Sequence, residues 1–420
     1  MMGSTVTVTR RFSRAIRALP LVLAAAGAFA LSACGSHENA APKTSSPELV
    51  ARGRYLTQAA DCAACHTSTG GAPFAGGVKL ESQFGTFHGT NITPDSKYGI
   101  GQWSADDFYA ALHDGKTPKG KLYPAMPYTS YRQMTREDSD AIYAYLMSQK
   151  PAAVPNIGAD LKFPYNVRFA VRFWDALFLK DQLPDASTGH SADWTRGRYL
   201  ANALGHCTEC HTPRGAFGQL EGAQTLQGGT LGRVGAPDIT PAALAARGWT
   251  GPDLQAFFST GFAKQGSAFS EMHPVVYLST QHLNPDDLRA LTVYLLGDAP
   301  PAPAPMTVQS GDAAQLAAGR NLYLDSCAGC HGREGEGKPH VAVAMKQNST
   351  LRQSDPRNLI VSMLDGIEAQ AFPGIESMQH MPAFAGTYSD EQIARLTNYL
   401  RVTWGGQRSD VTADEVKSLR

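Results

Sequence analysis

The sequence shows no excess of charge of either sign, since 37 basic residues face 37 acidic ones in a chain of 420. Nucleic-acid binding relies on a basic surface, so this balance does not favour a nucleic-acid partner. The sequence also has no apolar run of about 20 residues, the length that a membrane-spanning helix needs. Cysteine is scarce, and six of the seven cysteines fall in three short motifs. A chain of this length suits three domains of ordinary size.

The three motifs have the form Cys-x-x-Cys-His: Cys62, Cys65 and His66; Cys207, Cys210 and His211; Cys327, Cys330 and His331. On a short helix, residues three and four apart share a face, so both sulfurs and the imidazole of each copy point the same way. Covalent haem attachment needs this arrangement, with two thioether bonds and the histidine as proximal iron ligand. A single Cys-x-x-Cys also suits a redox disulfide or half of a zinc site. Three copies, each followed directly by histidine, favour three covalently bound haem c groups.

The second iron ligand is expected to be a methionine, because a thioether opposite histidine is a pair found in cytochromes c. Spacing selects Met126, Met272 and Met381, which lie 60, 61 and 50 residues after their motif histidines. The alternative ligands nearby are Met134 in the first repeat, His273 in the second, and Met378 or His380 in the third. Six-coordinate iron leaves no open position for a substrate, so we assign no catalytic residue and predict no independent catalysis.

The N-terminus predicts export. Four arginines precede an apolar run at 18–33, which is typical of a signal peptide over residues 1–33. The run ends in a segment that resembles the lipobox of bacterial lipoproteins, in which the following cysteine, here Cys34, becomes lipidated. The alternative is simple cleavage after an alanine-rich site, with Cys34 an idle thiol. Residues 34–47 read as a polar tether.

Each motif follows a short helical segment with a Gly-Arg start, at Gly53, Gly197 and Gly319. Each repeat closes with a second amphipathic helix that carries a tyrosine, at 139–146, 285–296 and 389–400. A glycine facing an aromatic side chain lets two helices cross closely. We therefore predict an all-α fold of three tandem cytochrome c-like haem domains behind a lipoprotein signal peptide.

The predicted domains cover residues 48–155, 190–298 and 311–405, and a polar tail follows at 406–420. Between the first two lies an apolar insertion at 156–189, which either packs these domains together or presents apolar surface to a partner. A Pro/Ala linker at 299–310 joins the last two. The turn at 91–94, Asn-Ile-Thr-Pro, recurs at 238–241 as Asp-Ile-Thr-Pro. Its threonines suit either haem propionates or plain turn chemistry.

From 53 to 404 the sequence resembles the three-haem cytochrome c subunits of bacterial membrane-bound dehydrogenases that oxidise alcohols, gluconate, sugars or aldehydes. The resemblance rests on the three motifs, the Gly-Arg openings, the turn at 91–94 and the segments 123–127, 275–281 and 381–384. The polar C-terminus departs from relatives that use an amphipathic C-terminal segment at the membrane.

This resemblance implies an electron-transfer subunit that takes electrons from the catalytic subunit of a flavin-, quinone- or molybdenum-dependent dehydrogenase. It implies ubiquinone or a terminal oxidase as the acceptor. With the lipid at Cys34, the expected location is the periplasmic side of the cell membrane of a Gram-negative bacterium. Two alternatives are a multihaem peroxidase or reductase with one open haem, and a stand-alone periplasmic electron shuttle.

Overall fold

The computed structural model describes residues 45–179, 188–374 and 376–420. The predicted signal peptide, Cys34 and most of the predicted tether lie outside these ranges, as do residues 180–187 of the predicted insertion. The protein is mostly helical, as predicted, with 44% helix and 11% strand.

The α-helices, numbered in chain order, are α1 Pro47–Ala59, α2 Cys62–His66, α3 Ala105–Asp114, α4 Tyr128–Tyr131, α5 Arg136–Met147, α6 Val171–Phe178, α7 Ala192–Tyr199, α8 Thr208–His211, α9 Pro241–Ala246, α10 Gly251–Thr260, α11 Met272–Leu278, α12 Pro285–Leu296, α13 Ala313–Ser326, α14 Ala328–His331, α15 Arg357–Asp365, α16 Asp390–Leu400 and α17 Ala413–Ser418. Two π-helical turns, Leu200–Leu204 and Arg401–Gly405, extend α7 and α16. Short 3-10 turns lie at Arg168–Ala170, Gly222–Gln224 and Thr280–His282.

The strands are short and antiparallel, and the sequence did not predict them. They are β1 Lys79–Ser82, β2 Gly85–His88, β3 Lys116–Thr117, β4 Gly120–Lys121, β5 Asp160–Leu161, β6 Gln227–Leu231, β7 Val234–Asp238, β8 Phe262–Ala263, β9 Gly266–Ser267, β10 Gln370–Ala371 and β11 Ser377–Met378. In the sheet β1-β2-β5, Gly85 of β2 pairs with Leu161 of β5, which fixes the start of the insertion to the first repeat.

Three crossed helix pairs organise the chain: α1 packs on α5, α7 on α12 and α13 on α16. The predicted glycines lie at the crossings, inside their helices rather than at the predicted starts, since the helices begin at Pro47, Ala192 and Ala313. A Cβ added to Gly53 would lie 2.8 Å from the Cβ of Tyr145. The corresponding distances are 2.7 Å from Gly197 to Tyr294 and 2.7 Å from Gly319 to Tyr399. The close glycine–tyrosine approach is therefore confirmed in all three repeats.

The buried apolar residues form two main cores. Leu56, Ile142 and Leu146 of the first repeat belong to the same cluster as Leu200 and Leu295 of the second. The third repeat has a core of its own, built around α13, α15 and α16. The first two repeats are therefore one packed unit, whereas the third has a separate core.

The third repeat packs on the second through a smaller apolar contact. Phe372, which is 4% exposed, meets the ring of Phe262 with a centroid separation of 4.1 Å. The extended linker also makes contacts, since the backbone N–H of Ala304 donates to the carbonyl of Ala245 at 2.8 Å. The predicted polar tail contains α17, whose Val416 is fully buried against α16, so the tail is part of the third repeat.

The insertion contacts both of the first two repeats on one side and exposes apolar side chains on the other. On one side of α6, Asp175 is buried and accepts a hydrogen bond from Tyr128 Oη at 2.7 Å, while Trp174 Nε1 donates to the carbonyl of Phe217 in the second repeat at 2.8 Å. On the other side, Phe173 and Leu177 are 62% and 69% exposed. Across the three described ranges, no helix has both the length and the apolarity needed to cross a membrane.

Candidate haem-attachment sites

Each motif lies on a short helix that follows the first helix of its repeat, as predicted: α2, α8 and α14. The first cysteine and the predicted methionine of each repeat pack against the same core. Cys62 and Met126 pack against the shared core, as do Cys207 and Met272. Cys327 and Met381 pack against the third core. The fold therefore gathers each attachment segment and each methionine loop around one apolar region.

The three motif histidines share one hydrogen bond. Nδ1 lies 2.6 Å from the carbonyl oxygen of Thr90 for His66, 2.7 Å from that of Pro237 for His211, and 2.9 Å from that of Val343 for His331. A carbonyl oxygen can accept a hydrogen bond but cannot donate one, so Nδ1 carries the proton. The lone pair of Nε2 is then available to a metal, and metal-bound histidines are commonly fixed by this kind of hydrogen bond. The residues therefore fit an iron porphyrin held at Nε2.

Burial supports the same assignment by keeping the imidazoles uncharged. It lowers the pKa of His66, His211 and His331, against an opposing effect of the carbonyl hydrogen bond. A neutral imidazole is the form that binds iron.

The recurring Ile-Thr-Pro turns position two of the acceptor carbonyls. Thr90 and Pro237 immediately precede the turns that begin at Asn91 and Asp238. In each turn the threonine hydroxyl donates at 2.7 Å to the side chain of the first turn residue, from Thr93 to Asn91 and from Thr240 to Asp238. Both threonine hydroxyls therefore donate within their own turns, which favours a role in turn formation over a hydrogen bond to a haem propionate. The role of the turn in holding the histidine acceptor was missed, because a backbone carbonyl leaves no mark in a sequence.

The first cysteine of each motif lies in surroundings that disfavour the thiolate. Burial raises the pKa of Cys62, Cys207 and Cys327 to about 12 in each case. Redox and zinc-binding cysteines need the thiolate, which a depressed pKa favours. The arrangement fits thioether attachment better than either alternative.

The alternative ligands are mostly engaged elsewhere. Met134 is 4% exposed inside the shared core. His273 Nε2 lies 2.9 Å from the carbonyl oxygen of Ala371, and its ring stacks on Tyr277. Met378 lies in β11 and packs beside Phe372. Met126, Met272 and Met381 remain the predicted ligands.

Two ionisable residues immediately before the first two motifs were missed, of which Asp61 is buried and His206 is half-buried. Asp61 and His206 occupy the same position relative to Cys62 and Cys207, and both have left-handed backbone, with φ of 50° and 39°. Burial raises the pKa of Asp61 well above its usual value and lowers that of His206. Asp61 Oδ1 has no hydrogen-bond partner, and Asp61 lines a small cavity with Cys207 and Ser279. Nothing in the sequence pattern indicates that these positions are buried.

A short helix that presents two cysteines and a carbonyl-anchored histidine defines a c-type haem site. Residues 50–150 and 316–404 match the family described as cytochrome c. The chain is 36% identical over 404 residues to the gluconate 2-dehydrogenase cytochrome c subunit of Pantoea cypripedii, with 89% of each chain covered. It is 34% identical over 418 residues to the cytochrome c subunit of alcohol dehydrogenase (quinone) from Gluconobacter oxydans, which covers 94% of this chain and 86% of the relative.

A third relative is a nicotinate dehydrogenase subunit of Pseudomonas putida, 38% identical over 365 residues and 85% of this chain. The chain spans 30% of that longer relative. The chain belongs to the family of cytochrome c subunits of bacterial dehydrogenases, as its motifs predicted. Membership of the cytochrome c family implies covalently bound haem c, and the relatives support a role in electron transfer.

Proposed function

We propose that the chain binds three haems c and passes electrons from a dehydrogenase catalytic subunit to the respiratory chain, with ubiquinone or a terminal oxidase as acceptor. The observation that carries this proposal is the threefold histidine arrangement, in which Nδ1–H of His66, His211 and His331 is fixed by a carbonyl and Nε2 is left for iron. The cysteine pairs 62/65, 207/210 and 327/330 form the thioethers. Domain boundaries follow the predicted ranges, with the tail 406–420 joined to the third domain.

The protein's part is to hold, cap and bury each site. The iron of each haem would be held by a motif histidine together with Met126, Met272 or Met381, and these methionines pack against the same cores as the first cysteines. The bound haem would supply one-electron exchange, and with a histidine and a methionine holding each iron the chain would perform no bond chemistry of its own. The polypeptide therefore controls the potential and the spacing of its sites.

We place the protein on the periplasmic side of the membrane of a Gram-negative bacterium, with a lipid on Cys34 after removal of residues 1–33. The support is the arginine-rich start, the apolar run and the cysteine that follows it. Replacing Cys34 by alanine should release the protein into the soluble periplasmic fraction with its haem content unchanged. Continued membrane attachment of this variant in the absence of the dehydrogenase would contradict the lipid assignment.

Carbon monoxide tests the ligand set, because it binds reduced haem iron that has an open or weakly held position. The reduced wild-type protein should show no spectral change with carbon monoxide. The variant Met272→Ala should bind it at one of three haems and provides the positive control. Binding by the wild-type protein would contradict the electron-transfer assignment and favour a multihaem peroxidase or reductase.

Purification separates the proposal from a stand-alone shuttle. The protein, extracted in detergent from its natural membrane, should co-purify with a dehydrogenase and be reduced when that enzyme's substrate is added. Recovery of all the haem protein without a dehydrogenase, under conditions that keep other membrane complexes intact, would contradict the subunit assignment.

A further inference from the structure

Two polar clusters of the same composition join the first repeat to the second. In one, Tyr55 Oη of α1 donates to Asp287 Oδ2 of α12 at 2.5 Å. The same carboxylate accepts two hydrogen bonds from Arg196 of α7, each at 2.8 Å. Asp287 is 6% exposed, so its buried carboxylate depends on Arg196 for charge compensation and on both partners for hydrogen bonds.

The other cluster repeats this arrangement with the repeats exchanged. Tyr199 Oη of α7 donates to Asp138 Oδ2 of α5 at 2.7 Å, and Arg52 of α1 pairs with the same carboxylate. Each aspartate thus takes an arginine from its own repeat and a tyrosine from the other. Such reciprocity is the mark of an interface with two-fold character, here between two repeats of one chain.

The tyrosine hydroxyls also accept hydrogen bonds at the helix starts that they reach. The backbone N–H of Thr135 donates to Tyr199 Oη at 3.1 Å, and that of Asn284 donates to Tyr55 Oη at 3.4 Å. Each tyrosine therefore connects the first helix of one repeat to the capped start of the closing helix of the other.

The attachment motifs lie next to this interface. Thr129 and Ser130, just after the Met126 loop, donate to Glu209 of the second motif at 2.6 and 2.9 Å. In the opposite direction, α11, which begins at Met272, packs on α2 of the first motif. The two sites therefore lie close together, each methionine segment against the other's attachment helix.

The third repeat does not carry this arrangement. When the crossings at Gly53 and Gly319 are superposed by sequence, Arg52, Tyr55 and Asp138 correspond to Ala318, Asn321 and Gln392. The third repeat instead packs through its β10–β11 hairpin, so the clusters are specific to the first two repeats.

We propose that the first two repeats form one two-haem unit, in which Tyr55 and Tyr199 are positioning residues that hold the two sites at a fixed separation for direct electron exchange. In this exchange one iron loses an electron and the other gains it, with no bond made or broken. The inference rests on the proposed function, because it assumes that both sites carry haem. The third repeat would then exchange electrons with an external partner or with the two-haem unit.

The test uses the full-length haem-loaded protein with both tyrosines replaced by phenylalanine, Tyr55→Phe together with Tyr199→Phe. The matched control is Tyr143→Phe, whose hydroxyl donates to the carbonyl of Trp103 within the first repeat at 2.5 Å. One electron is injected by a light flash, and its redistribution between the first two haems is followed after their midpoint potentials have been assigned. Amide hydrogen exchange at Thr135 and Asn284 reports the interface itself.

In the double variant we expect both amides to exchange at least about tenfold faster, since a hydrogen bond to a charged group is lost in each cluster. We expect electron redistribution to slow while haem content and midpoint potentials stay unchanged, and the control to match the wild type in all four measurements. Each single tyrosine variant should slow electron redistribution less than the double variant does, and the two single variants should be slowed by similar amounts. The single variants therefore test the inference even if the double variant does not fold.

Redistribution at the wild-type rate in a fully loaded double variant would overturn the inference, whether or not the amides exchange faster. Slower electron redistribution in Tyr143→Phe as well would also overturn the inference. Failure of the proposed function gives a different result, namely a wild-type protein with fewer than three haems or one that its dehydrogenase does not reduce.

Discussion

The replacement Gly53→Ala tests the helix crossing that frames the first site. A Cβ at this position would lie 1.9 Å from the carbonyl oxygen of Ala141, 2.6 Å from its carbonyl carbon and 2.8 Å from the Cβ of Tyr145. None of these atoms can move by a side-chain rotation, so α1 and α5 would have to separate by roughly 1 Å, enough to lose a quarter to a half of the local packing attraction.

Overpacking of this kind costs about 1–3 kcal/mol, and the higher helix propensity of alanine returns up to ~1 kcal/mol of it. Because Ala141 and Leu56 belong to the core shared with the second repeat, the cost should appear in the unfolding of both repeats together. We expect the free energy of unfolding to fall by roughly 1–2 kcal/mol net. Urea unfolding of the haem-loaded protein, followed by far-ultraviolet circular dichroism, measures it.

The control is Gly158→Ala, since a Cβ there would have no heavy atom within 4 Å and its backbone does not need a positive φ. This variant should stay within about 0.5 kcal/mol of the wild type. If Gly53→Ala proved as stable as Gly158→Ala, the close crossing would not constrain the residue type, and the reasoning applied to all three crossings would fail.

Two further predictions concern pH and the third repeat. Burial raises the folded-state pKa of Asp61, so the wild-type protein should lose stability as pH rises above the unfolded value of about 4. Asp61→Asn removes this loss. The variant's free energy of unfolding in urea should equal that of the wild type at low pH and exceed it increasingly towards neutral pH. A difference that does not depend on pH would contradict the assignment. Phe372→Ala should weaken the contact between the last two repeats by about 3–5 kcal/mol. The linker at 299–305 should then become sensitive to protease. Arg233→Ala removes an exposed pair with Asp365, worth about 0–1 kcal/mol, and exposed hydrogen bonds to the carbonyl of Leu419, but no buried apolar contact, so cleavage should rise far less than in Phe372→Ala; equal sensitivity of the two variants would contradict the packing account.

The sequence predicted the features that depend on residues close together in the chain. The motif helices follow from a spacing of three and four residues, and the crossings follow from a glycine near each helix start and a tyrosine on the closing helix. These signals repeat three times, and repetition makes each copy more specific than it would be alone. The family resemblance, which the relatives confirm, came from the same local features.

The features that sequence reasoning missed depend on contacts between distant segments. Tyr55 and Asp287 are 232 positions apart, so their hydrogen bond leaves no periodic signal. Val416 is one of few apolar residues in a polar segment, yet it is fully buried because Val411 and α16 lie beside it. The shared core of the first two repeats and the docking of the third arise in the same way, because surface complementarity between domains is not a property of either segment alone.

The central claim is that all three motifs carry haem with the histidine and methionine pair as ligands. The most direct measurement is the haem content per polypeptide of the purified wild-type protein, by pyridine haemochrome against protein concentration, alongside the variants Cys62→Ala/Cys65→Ala, Cys207→Ala/Cys210→Ala and Cys327→Ala/Cys330→Ala. We expect three haems in the wild type and two in each paired variant. Fewer than three in the wild type, or a paired variant that keeps all three, would contradict the account.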